Sequence, residues 1–309
     1  RLLREGERVR ILVRRPPPTE WMNNSNVEVV LGDLGDAEVV DRAVAGTEIV
    51  YHVGGAMKGG PIEHERGSVV GTQNVVESVR KHKVRKLIFI SSLSVLWTAA
   101  PRNGKKITES WRLEPMPERR GAYTQAKQQA EKVVVDAVKQ GGVHAVILRP
   151  AKVLGVGVQP TSLETAIRGG RRMVILGSGS LIPGLIYVED LVDSIQLAAQ
   201  SNAFDGSIFH IVDPSTLTRD EFAKLYIQEL LPGGKITHVP MVLMYGMAIG
   251  IELLMKVLRK PAPLSRYKLR SALAPFAYDC TAAEEKLGWK PAIGIRAGLD
   301  EIFKSMKKK

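Results

Sequence analysis

Apolar residues in the first half of the chain come in short runs, each followed by a stretch with helical spacing. Residues 9–13 are the first run, rich in β-branched side chains and stopped by Arg14-Arg15 and three prolines. Such a run reads as a buried strand with a sharp end. Residues 27–31 form a second strand, closed by Gly32-Asp33, and 37–45 have the pattern of a helix. A third strand, 48–53, ends in Gly54-Gly55, and 68–81 is a helix carrying Val69, Val70, Val75, Val76 and Val79. Residues 87–90 are a fourth strand, 122–138 a helix, and 143–148 a fifth strand stopped by Arg149-Pro150. Strands alternating with helices need crossover connections, and so a parallel sheet covered on both faces. The predicted fold is α/β, a Rossmann-type doubly wound parallel sheet.

Beyond Pro150 the alternation loosens. Residues 162–168 have helical spacing, 173–176 and 185–188 read as strands, and 190–200 as a helix. A strand at 208–212, a helix at 219–230 and a short strand at 236–239 follow, and 297–306 is an amphipathic helix. The expected division is a dinucleotide-binding domain over 1–155 and a smaller substrate lobe over 156–309, with 185–212 returning to the sheet. Residues 242–258 stand apart as a strongly apolar helix. No charge occurs over 239–251, too short a stretch to span a bilayer, and a basic run over 256–270 follows it. A buried or substrate-covering helix is the plainer reading. A peripheral membrane contact through 239–270 is the sharper one.

Composition narrows the class. The 309 residues are 44% hydrophobic and 25% charged, as in ordinary globular proteins. A single cysteine, Cys280, excludes an internal disulfide, and the six histidines show no zinc-ligand spacing. The net charge of +12 is spread along the chain without a nucleic-acid motif, so a solvated basic surface is expected and no nucleic-acid partner. A cytoplasmic location, with the membrane contact as an addition, is the matching expectation.

Candidate chemistry gathers at the strand ends, where parallel sheets of this kind hold ligands. Arg14 and Arg15 end the first strand. Guanidinium groups there accommodate a 2′-phosphate, which favours NADP over NAD. The small residues of Val53-Gly54-Gly55-Ala56 let a ligand approach the backbone closely. Ser91 and Ser92 put hydroxyls where the fourth strand gives out. Tyr123 and Lys127 lie one turn apart on one helix face. An ammonium beside a phenol favours phenolate and lowers its pKa, which makes a tuned acid/base.

Ser92, Tyr123 and Lys127, in this strand–helix order, resemble the extended short-chain dehydrogenase/reductase superfamily, the NAD-dependent epimerase/dehydratase family. Gly71-Thr72, Arg149-Pro150 with Gly155, Tyr187-Val188-Glu189-Asp190 and Leu287-Gly288-Trp289-Lys290-Pro291 carry the resemblance across nearly the whole chain. The apolar segment near the carboxyl end is similar to that of the hydroxysteroid-dehydrogenase branch. The resemblance implies Tyr123 as general acid/base, Ser92 holding the substrate oxygen, and Lys127 lowering the tyrosine pKa and bonding the nicotinamide ribose. It implies Asp33 and Leu34 beside the adenine, Val53, Gly54, Gly55 and Ala56 along the dinucleotide, and Pro150 to Val153 over the nicotinamide. By analogy it suggests a homodimer through the Ser68 and Tyr123 helices; no metal is expected, because the histidines lack ligand spacing.

There are departures. The family's glycine-rich phosphate loop and first strand are absent, and Ser68 stands where an asparagine is usual. An amino-terminal truncation is therefore expected, with the central strand position unfilled by residues 1–309 and dinucleotide binding impaired. The expected activity is alcohol/ketone oxidoreduction with NADP, or else NAD, on a lipophilic or steroid-like small molecule. A nucleotide-sugar epimerase using the same site, with Arg168, Arg171 and Arg172 on a diphosphate, is the alternative. A non-catalytic dinucleotide-binding regulator is the third.

Overall fold

The alternation of strands and helices is present in the computed structural model, which describes the chain except for residues 101–105, 215–216, 261, 275–276 and 309. β1 (Val9–Val13) leads through α1 (Thr19–Met22) to β2 (Val27–Leu31), and α2 (Ala37–Val44) leads to β3 (Ile49–His52). α3 (Pro61–His64) passes through a π turn at Glu65–Val70 into α4 (Gly71–Lys81), then β4 (Lys86–Ile90). α5 (Pro117–Arg120) and α6 (Ala122–Gln140) precede β5 (Ala145–Pro150). Next come β6 (Lys152–Leu154), β7 (Ile167–Gly169), β8 (Arg172–Leu176), β9 (Leu185–Tyr187), α7 (Val188–Gln200) and β10 (Asp205–Ile211). α8 (Arg219–Leu230), β11 (Lys235–Val239), α9 (Met241–Val257), α10 (Arg266–Ala272), α11 (Thr281–Leu287) and α12 (Gly294–Lys307) complete the described chain.

The main sheet has the order β10-β5-β4-β3, all parallel. Every residue of β4 is buried, as a central strand covered on both faces requires. The two faces follow the strand period. Leu87 and Phe89 pack with Val75, Val79 and Val134 under α4 and α6. Ile88 and Ile90 pack on the other side with Ile186, Leu191 and Trp289.

β1 and β2 pair in parallel as a separate two-stranded sheet. No described strand lies between β1 and β3, so the central position expected to be unfilled is not filled by any described residue. Packing crosses the break where the ladder does not: α2 contacts both β1 and α4, and Leu12 and Val50 border one apolar cluster.

The second half departs from its pattern in places. Residues 162–168 are not a helix; β7 begins at Ile167 and turns through Gly170, at φ +60°, into antiparallel β8. Thr165 bonds back to Pro160 O at 3.0 Å, the local competition that removes such residues from helices. Of the two strands in 185–212, β10 joins the main sheet beside β5, whereas β9 pairs with β6. β11, β8 and β7 form a three-stranded sheet, under which α8 and α12 bury Phe222, Tyr226 and Phe303.

Two of the quoted motifs turn out to bind each other. Asp190, fully buried, accepts from the backbone N–H groups of Ala292, Ile293 and Gly294 at 2.8–2.9 Å, and its carbonyl accepts from Trp289 Nε1 at 2.9 Å. The carboxylate thus satisfies orphan donors at the start of α12. The 187–190 and 287–291 motifs are one structural clamp.

Candidate active site

The carboxyl ends of β3 and β4 meet the first turns of α6. Gly121, at φ +128°, turns the chain into α6, a conformation that favours glycine. Tyr123 is half-buried on the first turn, and its hydroxyl is near enough to that of Ser92 for the serine to act on its protonation. Ser92 also accepts from Ser94 N–H at 3.1 Å, capping the short 3-10 turn Leu93–Val95 that fixes its direction. One turn along α6, Lys127 is buried, and its ammonium donates to Ile90 O at 2.9 Å. Ser92, Tyr123 and Lys127 are therefore brought together as expected.

The Gly54-Gly55-Ala56 segment belongs to the same place. A side chain added at Gly55 would stand 3.3 Å from Ser68 Oγ and 3.5 Å from Lys127 Nζ. One at Gly54 would lie 2.7 Å from Leu34 Cδ1. The bare backbone is thus what lets β3 end against Lys127 on one side and Leu34 on the other. Ser68, in the usual asparagine position, accepts from Ala56 N–H at 3.1 Å and holds that segment. Asp33 accepts from Gly35 N–H at 2.9 Å, and Arg66 lies 3.5 Å from the same carboxylate oxygen. Arg14 and Arg15 are exposed beyond β1, with no ion-pair partner among the described residues. Pro150 ends β5 and is buried; Val153 is half-buried in β6.

These positions fit the two ends of a nicotinamide dinucleotide. Exposed guanidinium groups and a carboxylate stand at the ends of β1 and β2, and the bare backbone of Gly54-Gly55 lies against Lys127. A glycine-rich cradle for the pyrophosphate is not among the described residues.

The charges differ from the simplest expectation. Burial pushes the Tyr123 hydroxyl up from its ordinary value, and Ser92 pulls it partly back. Lys127 is pushed down by burial to about 8, with Glu131 acting to raise it. In this arrangement it is burial and Ser92, rather than Lys127, that shift the tyrosine.

Sequence reasoning missed the layer beneath. Glu131, one turn beyond Lys127, forms a buried ion pair with Arg149: Arg149 Nη2 donates to one carboxylate oxygen at 2.5 Å and Nε to the other at 3.0 Å. Ser91 donates to Glu131 as well, and Arg149 reaches Glu109 O at 3.0 Å. The i, i+4 spacing from Lys127 to Glu131, and an arginine at a strand end, were the available signals. His52 was also missed. It is buried, bonds Thr72 Oγ1 at 2.9 Å, and is held neutral by burial, which pushes it down to about 3. Thr72 in turn donates to Ser68 O at 2.6 Å. Gly71 lets α4 close on Leu34, where an added side chain would meet Leu34 Cβ at 2.8 Å. The Gly71-Thr72 pair is therefore a packing contact between α4 and the ends of β2 and β3.

A Rossmann-type sheet with a Ser–Tyr–Lys set at its carboxyl edge defines a short-chain dehydrogenase/reductase site. Residues 1–230 match the model of the 3-beta hydroxysteroid dehydrogenase/isomerase family, and the chain belongs to that family. It is an NAD(P)-dependent enzyme of the extended superfamily. A sterol-4-alpha-carboxylate 3-dehydrogenase, decarboxylating, from Mus musculus is 25% identical over 307 residues, covering 93% of this chain and 82% of the relative. A 2-alkyl-3-oxoalkanoate reductase from Stenotrophomonas maltophilia is 28% identical over 290 residues, covering 88% and 84%. The UDP-glucuronic acid 4-epimerase from Bacillus cereus, solved in complex with NAD, shares the fold with a TM-score of 0.74 at 16% identity, covering 99% of this chain and 93% of that one.

Proposed function

We propose that the protein interconverts an alcohol and a ketone on a lipophilic, steroid-like substrate, with NADP as the favoured cofactor. The observation that carries this reading is the gathering of Ser92, Tyr123 and buried Lys127 at the end of β4, with Lys127 bonded to Ile90 O and lying against the bare backbone at Gly55. Ser92 holds the substrate oxygen beside the Tyr123 hydroxyl. On oxidation Tyr123 takes the hydroxyl proton, and on reduction it returns one to the forming alkoxide. Lys127, one turn along, bonds the nicotinamide ribose in this reading rather than tuning the phenol. The dinucleotide, when bound, supplies or receives the hydride. Exposed Arg14 and Arg15 support the 2′-phosphate and so NADP.

The two relatives support the substrate class. Their activities both concern oxygen at position 3 of a molecule with an apolar body and a carboxylate. The epimerase reading lacks such support. Arg171 is engaged with Pro232 O at 2.8 Å and Arg172 with Thr237 at 3.1 Å, so two of the three basic groups expected on a sugar diphosphate are already held by the protein.

The test is a screen of sterols and long-chain 3-hydroxy acids against NADP and NAD, each supplied at high concentration because the described residues include no phosphate cradle, read as absorbance of the reduced cofactor. Net cofactor reduction with an apolar alcohol, stronger with NADP, is the expected result. Turnover of a nucleotide sugar without net reduction would make the protein an epimerase instead. Cofactor binding with no turnover of any substrate would make it a regulator.

A further inference from the structure

The turn that carries Ser92 is held from outside by one arginine. Arg120 Nη1 donates to Ser94 O and to Leu96 O, both at 3.2 Å. The two hydrogens of that nitrogen match the two carbonyls. Ser94 is also the residue whose N–H fixes the direction of the Ser92 hydroxyl. Arg120 closes α5, and Gly121 and Ala122 alone separate it from Tyr123. A single guanidinium thus joins the serine turn to the approach of the tyrosine helix.

Glu114 stands behind this arginine. Its carboxylate is buried, with Oε2 3.9 Å from Arg120 Nη1. Oε1 accepts from Met116 N–H at 3.2 Å and from the Tyr267 hydroxyl. The backbone is engaged as well: Glu114 N–H donates to Val95 O at 2.8 Å, and Gln128 Nε2 donates to Glu114 O at 2.9 Å. One buried acid therefore touches the serine turn, the lead into α5, the helix of Tyr123 and Lys127, and α10. Tyr267, on α10, brings in the second half of the chain. Its ring lies 4.9 Å from the Arg119 guanidinium, a cation–π contact. Burial, and then Glu114 itself, push the Tyr267 hydroxyl up to about 12, so it stays a donor at neutral pH. A phenylalanine at 267 would serve packing and the Arg119 contact equally well; the hydroxyl serves Glu114.

We propose that Tyr267, Glu114 and Arg120 are positioning residues for Ser92: Tyr267 orients Glu114, Glu114 holds Arg120, and Arg120 sets the serine turn against the first turn of α6. The three act through Ser92 and not on the substrate. Alignment of the serine with the Tyr123 hydroxyl then requires α10 to be docked, so the second half of the chain takes part in the chemistry of the first. The leverage is large, because a misplacement of about 1 Å at a reacting group can lower a rate about 10²-fold. The effect on turnover rests on the oxidoreductase reading; the effect on the turn rests on the geometry alone.

Tyr267→Phe tests it in the full chain, on the alcohol identified by cofactor reduction and at high cofactor concentration. The variant keeps the ring and so the fold, which a thermal melt checks. It should lower kcat by about tenfold and leave KM within about twofold, as loss of an interaction made in the transition state does. In a Ser92→Ala background the same substitution should change kcat by less than about twofold, because the hydroxyl acts through the serine. A residue that merely stabilises the fold would give the same loss in both backgrounds. Amide exchange supplies a readout that needs no turnover: Tyr267→Phe should speed exchange over residues 92–98 by about tenfold and leave β4 unchanged. Equal losses of kcat in the two backgrounds, or unchanged exchange over 92–98, would overturn the proposal. If the unaltered protein oxidises no alcohol, the oxidoreductase reading fails by itself, and the exchange result still decides whether Tyr267 holds the serine turn.

Discussion

Lys127 is where the residue-level chemistry is under most tension. It is buried, its ammonium has one backbone acceptor, and burial has pushed it down to about 8 from 10.5. Below pH 8 the charge is present in folded and unfolded chains alike, and the folded state bears its full desolvation cost. Between about 8 and 10.5 the folded protein sheds this proton while the unfolded chain keeps it, so this group makes stability rise with pH across that window. Activity should run the other way, falling as pH climbs through about 8 and the ammonium proposed to hold the nicotinamide ribose loses its charge. Glu131 acts to raise the lysine pKa. Glu131→Gln should therefore move that falling limb to lower pH, and should also destabilise the fold by about 3–5 kcal/mol by leaving buried Arg149 unpaired. A pH–rate profile and a denaturant titration check the two effects; an unmoved limb would remove Glu131 as a positioning residue. The Tyr123–Lys127 spacing was readable in the sequence because a helix period is enough to place both on one face. The Glu131–Arg149 pair was not, because it joins residues on α6 and β5 whose meeting depends on the sheet register.

At the scale of elements, the strands differ in how well they are held. β4 is hydrogen-bonded on both edges and buried throughout, whereas β1 pairs only with β2 among the described strands and is half-buried. Hydrogen exchange should follow this order. Amides of β1 and β2 should exchange at least about tenfold faster than those of β4 and β5, since local openings there expose less apolar surface. Equal protection, measured peptide by peptide, would mean that the two sheets open as one unit. The strands and helices up to Pro150 were legible because apolar runs bounded by glycine or proline alternate with helical spacing. The segment 162–168 misled because its apolar spacing is overridden by Thr165 bonding its own loop and by the Gly169-Gly170 turn. α10 and α11 escaped notice for another reason: each has seven residues, too few for periodicity to speak.

For the whole molecule, the apolar stretch near the carboxyl end gains a covered side and an open side in the structure: Met244 and Ala248 of α9 are buried, whereas Val242, Leu253 and Val257 are exposed. The sequence showed that stretch as apolar but not which side was covered, because Met244 and Ala248 differ from Val242 and Val257 only in what packs on them. The candidate site is likewise a property of the assembled chain. β3 supplies the bare backbone, β4 the serine, and α6 the tyrosine and lysine, and each was predicted from its own strand end or helix turn. The central claim is that these groups perform acid/base chemistry for alcohol–ketone oxidoreduction. The most direct measurement is the turnover rate of the Tyr123→Phe variant beside that of the unaltered protein, on the alcohol found by cofactor reduction, with cofactor affinity determined in parallel. The phenol is predicted to be worth about 10²–10⁴-fold in kcat, with cofactor affinity unchanged. A Tyr123→Phe variant that turned over at the unaltered rate would contradict the account.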